Sequence, residues 1–112
     1  MSRTYIVTGS ASGIGAATAE LLTKLGHTVI GVDLKNADVE GDLSTPIGRS
    51  TAAEQAISKA NGSIDAVIAC AGIAAPISKT VAINFFGVTE FLTALRPTLA
   101  KSSAPRAAVV SS

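Results

Sequence analysis

Three glycines and one aspartate stand where an anionic, sugar-bearing ligand could be held. Thr8-Gly-Ser-Ala-Ser-Gly-Ile-Gly15 follows the run Thr4-Tyr-Ile-Val-Thr8, rich in β-branched and aromatic residues, and leads into a helical pattern. At such a strand-to-helix turn Gly9 can swing the chain off the strand, Gly13 lets backbone approach a pyrophosphate with no Cβ in the way, and Gly15 allows the helix to pack closely. Ser12 and Ile14 lie between them, at a helix start whose unpaired N–H groups and dipole favour negative charge. Asp33, 18 residues past Gly15, closes a second apolar run where a dinucleotide fold places the acid that binds the adenosine ribose. A glycine-rich turn without a ligand would carry the glycines alone. Here strand, turn, helix, strand and acid come in order.

The elements that must position these residues alternate along the chain. Thr28-Val-Ile-Gly-Val32, Ala66-Val-Ile-Ala69 and Ala107-Ala-Val-Val110 join Thr4–Thr8 as short apolar runs without polar alternation. Such runs predict parallel strands covered on both faces. Val39 to Leu43 is a shorter candidate strand. Ile14, Ala17, Thr18, Leu21, Leu22 and Leu25 form a helical stripe broad enough to cover a sheet, and Gly26 sits where a helix ends. Ser44-Thr45-Pro46 supplies a cap candidate and a proline at the first helical position for a second helix to about Ala60, and Phe85, Val88, Leu92, Leu95 and Leu99 mark a third from about Ser78 to Lys101, with Pro97 expected to kink or shorten it. Strands alternating with helices imply βαβ units and a doubly wound α/β fold with helices on both faces of a parallel sheet.

Composition excludes several function classes. The 112 residues are 47% hydrophobic and 15% charged, with a formal net charge of +1, the reverse of a disordered chain. One folded domain over residues 1–112 is expected. Without a Lys/Arg run there is no electrostatic footprint for nucleic acid or an anionic membrane. The apolar run from Ala66 stops at Pro76, far short of a bilayer span. A single cysteine, Cys70, and no basic-then-apolar leader fit a cytoplasmic protein.

At Thr8 to Gly15 the sequence resembles the short-chain dehydrogenase/reductase family, whose pattern is T-G-x-x-x-G-x-G. Asp42-Leu43 matches that family's acidic residue and apolar neighbour beside the adenine, and Cys70-Ala71-Gly72 matches the end of its N-N-A-G stretch. Asn84 matches its helix asparagine and Ser112, 28 residues further on, its catalytic serine. Within the family, Gly26 to Leu34, Asp42 to Thr45 and Asn84 to Glu90 look most similar to the bacterial 3α-hydroxysteroid dehydrogenase/carbonyl reductase group. The resemblance implies a Rossmann-type sheet, here truncated after about the fifth strand. It also implies an oxidoreductase that moves a hydride between a nicotinamide and an alcohol/carbonyl pair. Gly9, Ser12, Gly13, Ile14, Gly15, Asp33, Leu34, Asp42, Leu43, Cys70, Ala71 and Gly72 would bind the cofactor. Ser112 would hold the substrate oxygen and Asn84 would support a proton relay; no metal is implied. A small alcohol or ketone is the expected partner, and a homodimer or homotetramer the expected assembly of the full-length protein.

Two features depart from the family pattern. Ala69 and Cys70 replace two asparagines, and the family's Y-x-x-x-K pair has no counterpart in these 112 residues, whose sole tyrosine, Tyr5, lies in the first strand. A dinucleotide-binding fragment or regulatory module without catalysis is therefore a standing alternative, and a methyltransferase on the same fold class a further one, disfavoured by the glycine spacing. The expected cofactor is NAD, because the charge of Asp33 would repel a 2′-phosphate. His27 is expected at the surface after a helix end, Cys70 as a small apolar residue, and Ser111 as a strand-end residue. Asn84 could instead be a polar core residue bonded to backbone, the less favoured of its two readings.

Overall fold

The computed structural model describes residues 2–71 and 87–110; the expectations for Gly72, Asn84, Ser111 and Ser112 lie outside the described residues. Strands β1 (Thr4–Thr8), β2 (Thr28–Asp33), β3 (Val39–Glu40), β4 (Ala66–Ala69) and β5 (Arg106–Val109) form one sheet in the order β3-β2-β1-β4-β5, every pairing parallel. Helices α1 (Gly13–Lys24), α2 (Pro46–Lys59) and α3 (Gly87–Leu99) lie between them. From β1 the chain first steps outward to β2 and β3, then crosses back to β4 and β5 on the other side of β1. Right-handed crossovers in opposite directions put their helices on opposite faces. Accordingly α2 and α3 pack on each other, while α1 lies against β1 and β2. This is the doubly wound α/β fold.

The core lies between the sheet and the α2/α3 layer. Ile6, Ile30, Val32 and Val67 point there and meet Ala52, Ala53 and Ala56 of α2 and Phe91 and Leu95 of α3, all buried. The alanine row lets α2 sit close to the strands, and Phe91 and Leu95 fill the remaining depth. Thr45 caps α2 by accepting the Gly48 N–H (3.0 Å), with Pro46 at its first position. At the far end of α1, Gly26 N–H donates to Thr23 and His27 N–H to Leu22, a Schellman closure.

Three expectations need correction. The stripe on α1 does not cover the sheet: Ile14, Leu21 and Leu25 are 62%, 57% and 63% exposed. Gly15 is the buried residue of α1 and Leu22 is half-buried, so only part of the stripe is covered while Ile14, Leu21 and Leu25 point away. The second correction concerns β5, one of the two edge strands among the described residues, which is exposed along its whole length and not covered on both faces. Third, the strand expected over Val39 to Leu43 pairs with β2 only at Val39 and Glu40. Pro97 sits in the last turn of α3, which continues through it to Leu99.

Candidate dinucleotide site

The chain leaves β1 through a tight turn. Gly9 has φ +70°, and its N–H donates to the carbonyl of Val32 (2.8 Å), tying the turn to β2. A Cβ on Gly9 would come within 2.9 Å of the Ala71 amide nitrogen, and one on Gly15 would collide with the Gly9 carbonyl oxygen. Gly13 also has a left-handed backbone (φ +57°), but a Cβ there would meet nothing within 4 Å. Its outer side is open. Ser12 stands at the N-cap of α1 with extended backbone and makes no side-chain capping bond, and the first turn carries no acid. The first backbone bond of the helix joins Ala16 N–H to the Ser12 carbonyl (3.2 Å). The amides of Gly13, Ile14 and Gly15 thus stand at the open helix end, where an anion is favoured.

The ends of the other strands come to the same place. Asp33 closes β2; one carboxylate oxygen accepts the Ala11 N–H (3.0 Å) and the other the Leu34 N–H (2.7 Å). That fixes the carboxylate beside the glycine turn. Asp42 follows β3 and accepts from the Ser44 amide (2.9 Å) and hydroxyl (2.5 Å). After β4, the amides of Cys70 and Ala71 both donate to Oγ1 of Thr8 (3.1 Å each), and Thr8 is 2% exposed. Burial raises the pKa of the Cys70 thiol above its ordinary value, so it stays protonated near neutral pH and serves as a small wall residue.

A cavity of about 340 Å³ results, lined by Gly9, Ser12, Gly13, Ile14, Gly15, Asp33, Leu34, Gly41, Asp42, Leu43, Cys70, Ala71 and Val110. It opens at the carboxyl ends of the strands, where the order reverses between β1 and β4, the position at which open α/β sheets hold ligands. Every described residue expected to contact a cofactor lies in this lining. Sequence reading missed Gly41, Val110 and the buried Thr8. The signal for Thr8 was present, since a hydroxyl in an apolar strand end needs a partner. His27 and Tyr5 lie at the opposite end of the sheet, where the His27 Nδ1 accepts the Arg3 N–H (3.0 Å) and the rings meet edge to face. His27 is thus half-buried and bonded, not a free surface residue.

The short chain dehydrogenase family model matches residues 3–112. The chain belongs to the short-chain dehydrogenase family. This short-chain dehydrogenase is 38% identical over 110 residues to a 3-alpha-hydroxysteroid dehydrogenase/carbonyl reductase of Comamonas testosteroni, covering 96% of this chain and 43% of that protein. A coniferyl-alcohol dehydrogenase of Pseudomonas sp. is 36% identical over 100 residues, which cover 82% of this chain and 37% of that protein. The crystal structure of the 3-alpha-hydroxysteroid dehydrogenase from Pseudomonas sp. B-0831, complexed with NADH, matches with a TM-score of 0.93 and 46% identity over 97% of this chain and 47% of that one. The chain spans less than half the length of these relatives. Among the described residues no helix is long and apolar enough to cross a membrane, and no group of three or more His, Cys, Asp or Glu side chains is placed to hold a metal.

Proposed function

We propose that this chain is the NAD-binding portion, residues 1–112, of a single-domain oxidoreductase that interconverts an alcohol and a carbonyl compound, with a 3α-hydroxysteroid as the candidate substrate. The observation that carries the reading is the convergence of the open α1 start and Asp33 on one cavity. The likeness to an NADH-complexed hydroxysteroid dehydrogenase supports the choice of cofactor and substrate.

The cavity suits a dinucleotide. Gly13, Ile14 and Gly15 would donate amides to the pyrophosphate, and the space a Cβ on Gly13 would enter would admit it. Asp33 would accept from the ribose hydroxyls, Asp42 and Leu43 would flank the adenine, and Cys70, Ala71 and Gly72 would line the inner wall. When bound, the nicotinamide supplies the hydride chemistry. Ser112 would hold the substrate oxygen and Asn84 would steady the proton relay. General acid–base transfer typically contributes about 10²–10⁴-fold, and the family assigns it to a tyrosine–lysine pair that these 112 residues do not contain. The 112-residue chain by itself therefore binds cofactor without turnover. A cytoplasmic location and a homodimeric or homotetrameric whole protein belong to the same reading.

Following nicotinamide absorbance with a panel of hydroxysteroids and simple carbonyls tests the proposal. Turnover with NAD by a protein that carries these residues together with a downstream Y-x-x-x-K is expected. NAD-dependent turnover by a verified 112-residue species would overturn the assignment of proton transfer to that pair.

A further inference from the structure

Arg49, in the first turn of α2, is 6% exposed. A guanidinium so buried is costly unless its donors are occupied. Nη1 donates to the carbonyl of Leu43 (3.0 Å), while Nε and Nη2 both reach Oε2 of Glu90 in the first turn of α3 (3.2 and 3.1 Å). Replacing a buried pair by apolar side chains of similar volume is often neutral or stabilising. Stability alone is thus a weak reason for this one, and its geometry suggests a better reason. Gly41, Asp42 and Leu43 form the side of the cavity that continues from β3. Within that segment the Gly41 N–H donates to the Asp33 carbonyl (3.0 Å), and Thr45 Oγ1 donates to the Asp42 carbonyl (3.3 Å). Both anchors are made by neighbouring backbone or by the turn itself. The Leu43 carbonyl instead is held from a helix side chain, whose Nε and Nη2 are fixed by a carboxylate on a second helix.

We propose that Arg49 is a positioning residue for the base-contacting wall Asp42–Leu43, and that Glu90 makes this wall answer to the placement of α3. The proposal rests on the dinucleotide reading. Only a planar fork with several donors can bond a carboxylate along one edge and a carbonyl along the other; a lysine ammonium, a compact point charge, cannot span both. Glu90 lies on α3 and is half exposed. Its Oε2 is held by two guanidinium nitrogens.

The test compares NADH with deamino-NADH, which carries hypoxanthine in place of adenine and keeps the pyrophosphate, both riboses and the nicotinamide. Affinities are read by fluorescence titration, and melting temperatures are recorded alongside. The unchanged protein should prefer NADH by about fivefold to tenfold, the worth of one hydrogen bond. Arg49→Met and Arg49→Lys should reduce that preference toward unity, with most of the loss on NADH, and Glu90→Gln should act in the same direction more weakly. If Arg49→Met does not fold, Arg49→Lys carries the test. Equal weakening of both ligands, an unchanged preference in the variants, or no preference in the unchanged protein would overturn the positioning role. Failure of the unchanged protein to bind either ligand would instead sink the dinucleotide reading.

Discussion

Gly15 lies so close to the Gly9 carbonyl that a Cβ on the helix residue would collide with the turn oxygen. The glycine turn and the first turn of α1 are therefore one packed unit, and the spacing of the motif reflects contact as well as ligand access. Gly15→Ala should force the helix off the turn and cost about 1–3 kcal/mol, the usual range for overpacking. Urea denaturation checks this. Unchanged stability would mean that the turn yields easily.

Thr8 should behave as a buried acceptor. Its Oγ1 takes the N–H groups of both Cys70 and Ala71, and the Cys70 N–H also reaches the Thr8 carbonyl (3.2 Å), so Thr8→Val keeps the shape and that backbone bond but removes the acceptor of the Ala71 N–H. A loss of about 1–3 kcal/mol is expected, with faster hydrogen exchange at the Ala71 amide. Thr8→Ser should retain most of the stability, since it keeps the hydroxyl.

Asp33 should decide between the two nicotinamide dinucleotides. Its carboxylate is already anchored by the Ala11 and Leu34 amides, so it cannot easily swing away from a 2′-phosphate. Asp33→Ala should shift binding toward NADP, as read by competitive titration. Equal affinity of the unchanged protein for NAD and NADP would contradict this.

Acid should weaken the fold through Asp65, at the end of the sheet opposite the cavity. The Ser102 hydroxyl (2.6 Å) and the Thr4 N–H (2.8 Å) bond its carboxylate and, with the charge of Arg3, hold its pKa below the ordinary 3.8 against a smaller opposing effect of burial. Because the folded value is the lower one, the contribution is full above the unfolded value and is lost as pH falls through that value and then the folded one. The stability difference between the protein and Asp65→Asn should therefore be constant near neutrality and shrink below about pH 4. A difference independent of pH would rule the carboxylate out as its source.

Local spacing made much of this legible. The turn from Thr8 to Gly15, Asp33, the Thr45-Pro46 helix start and the four longer strands are all encoded within a few residues of themselves, and all lie where the sequence puts them. What depends on distant partners was not legible. The stripe through Ile14, Leu21 and Leu25 is periodic, yet the close approach of Gly15 to Gly9 turns a different edge of α1 toward the strands. Pairing between Arg49 and Glu90, 41 residues apart, leaves no trace in local pattern, and Val110 enters the cavity only because β5 lies beside β4.

In the proposed dinucleotide site the open start of α1 holds the pyrophosphate. Titrating NADH fluorescence against the protein and its Gly13→Val variant tests this directly. A β-branched side chain at φ +57° is strained, and its Cβ would enter the open side of the turn while touching nothing else in the fold. The unchanged protein should bind NADH, and the variant should keep its far-ultraviolet circular dichroism but lose NADH affinity. A folded Gly13→Val protein that binds NADH as tightly as the unchanged one would contradict that placement of the pyrophosphate.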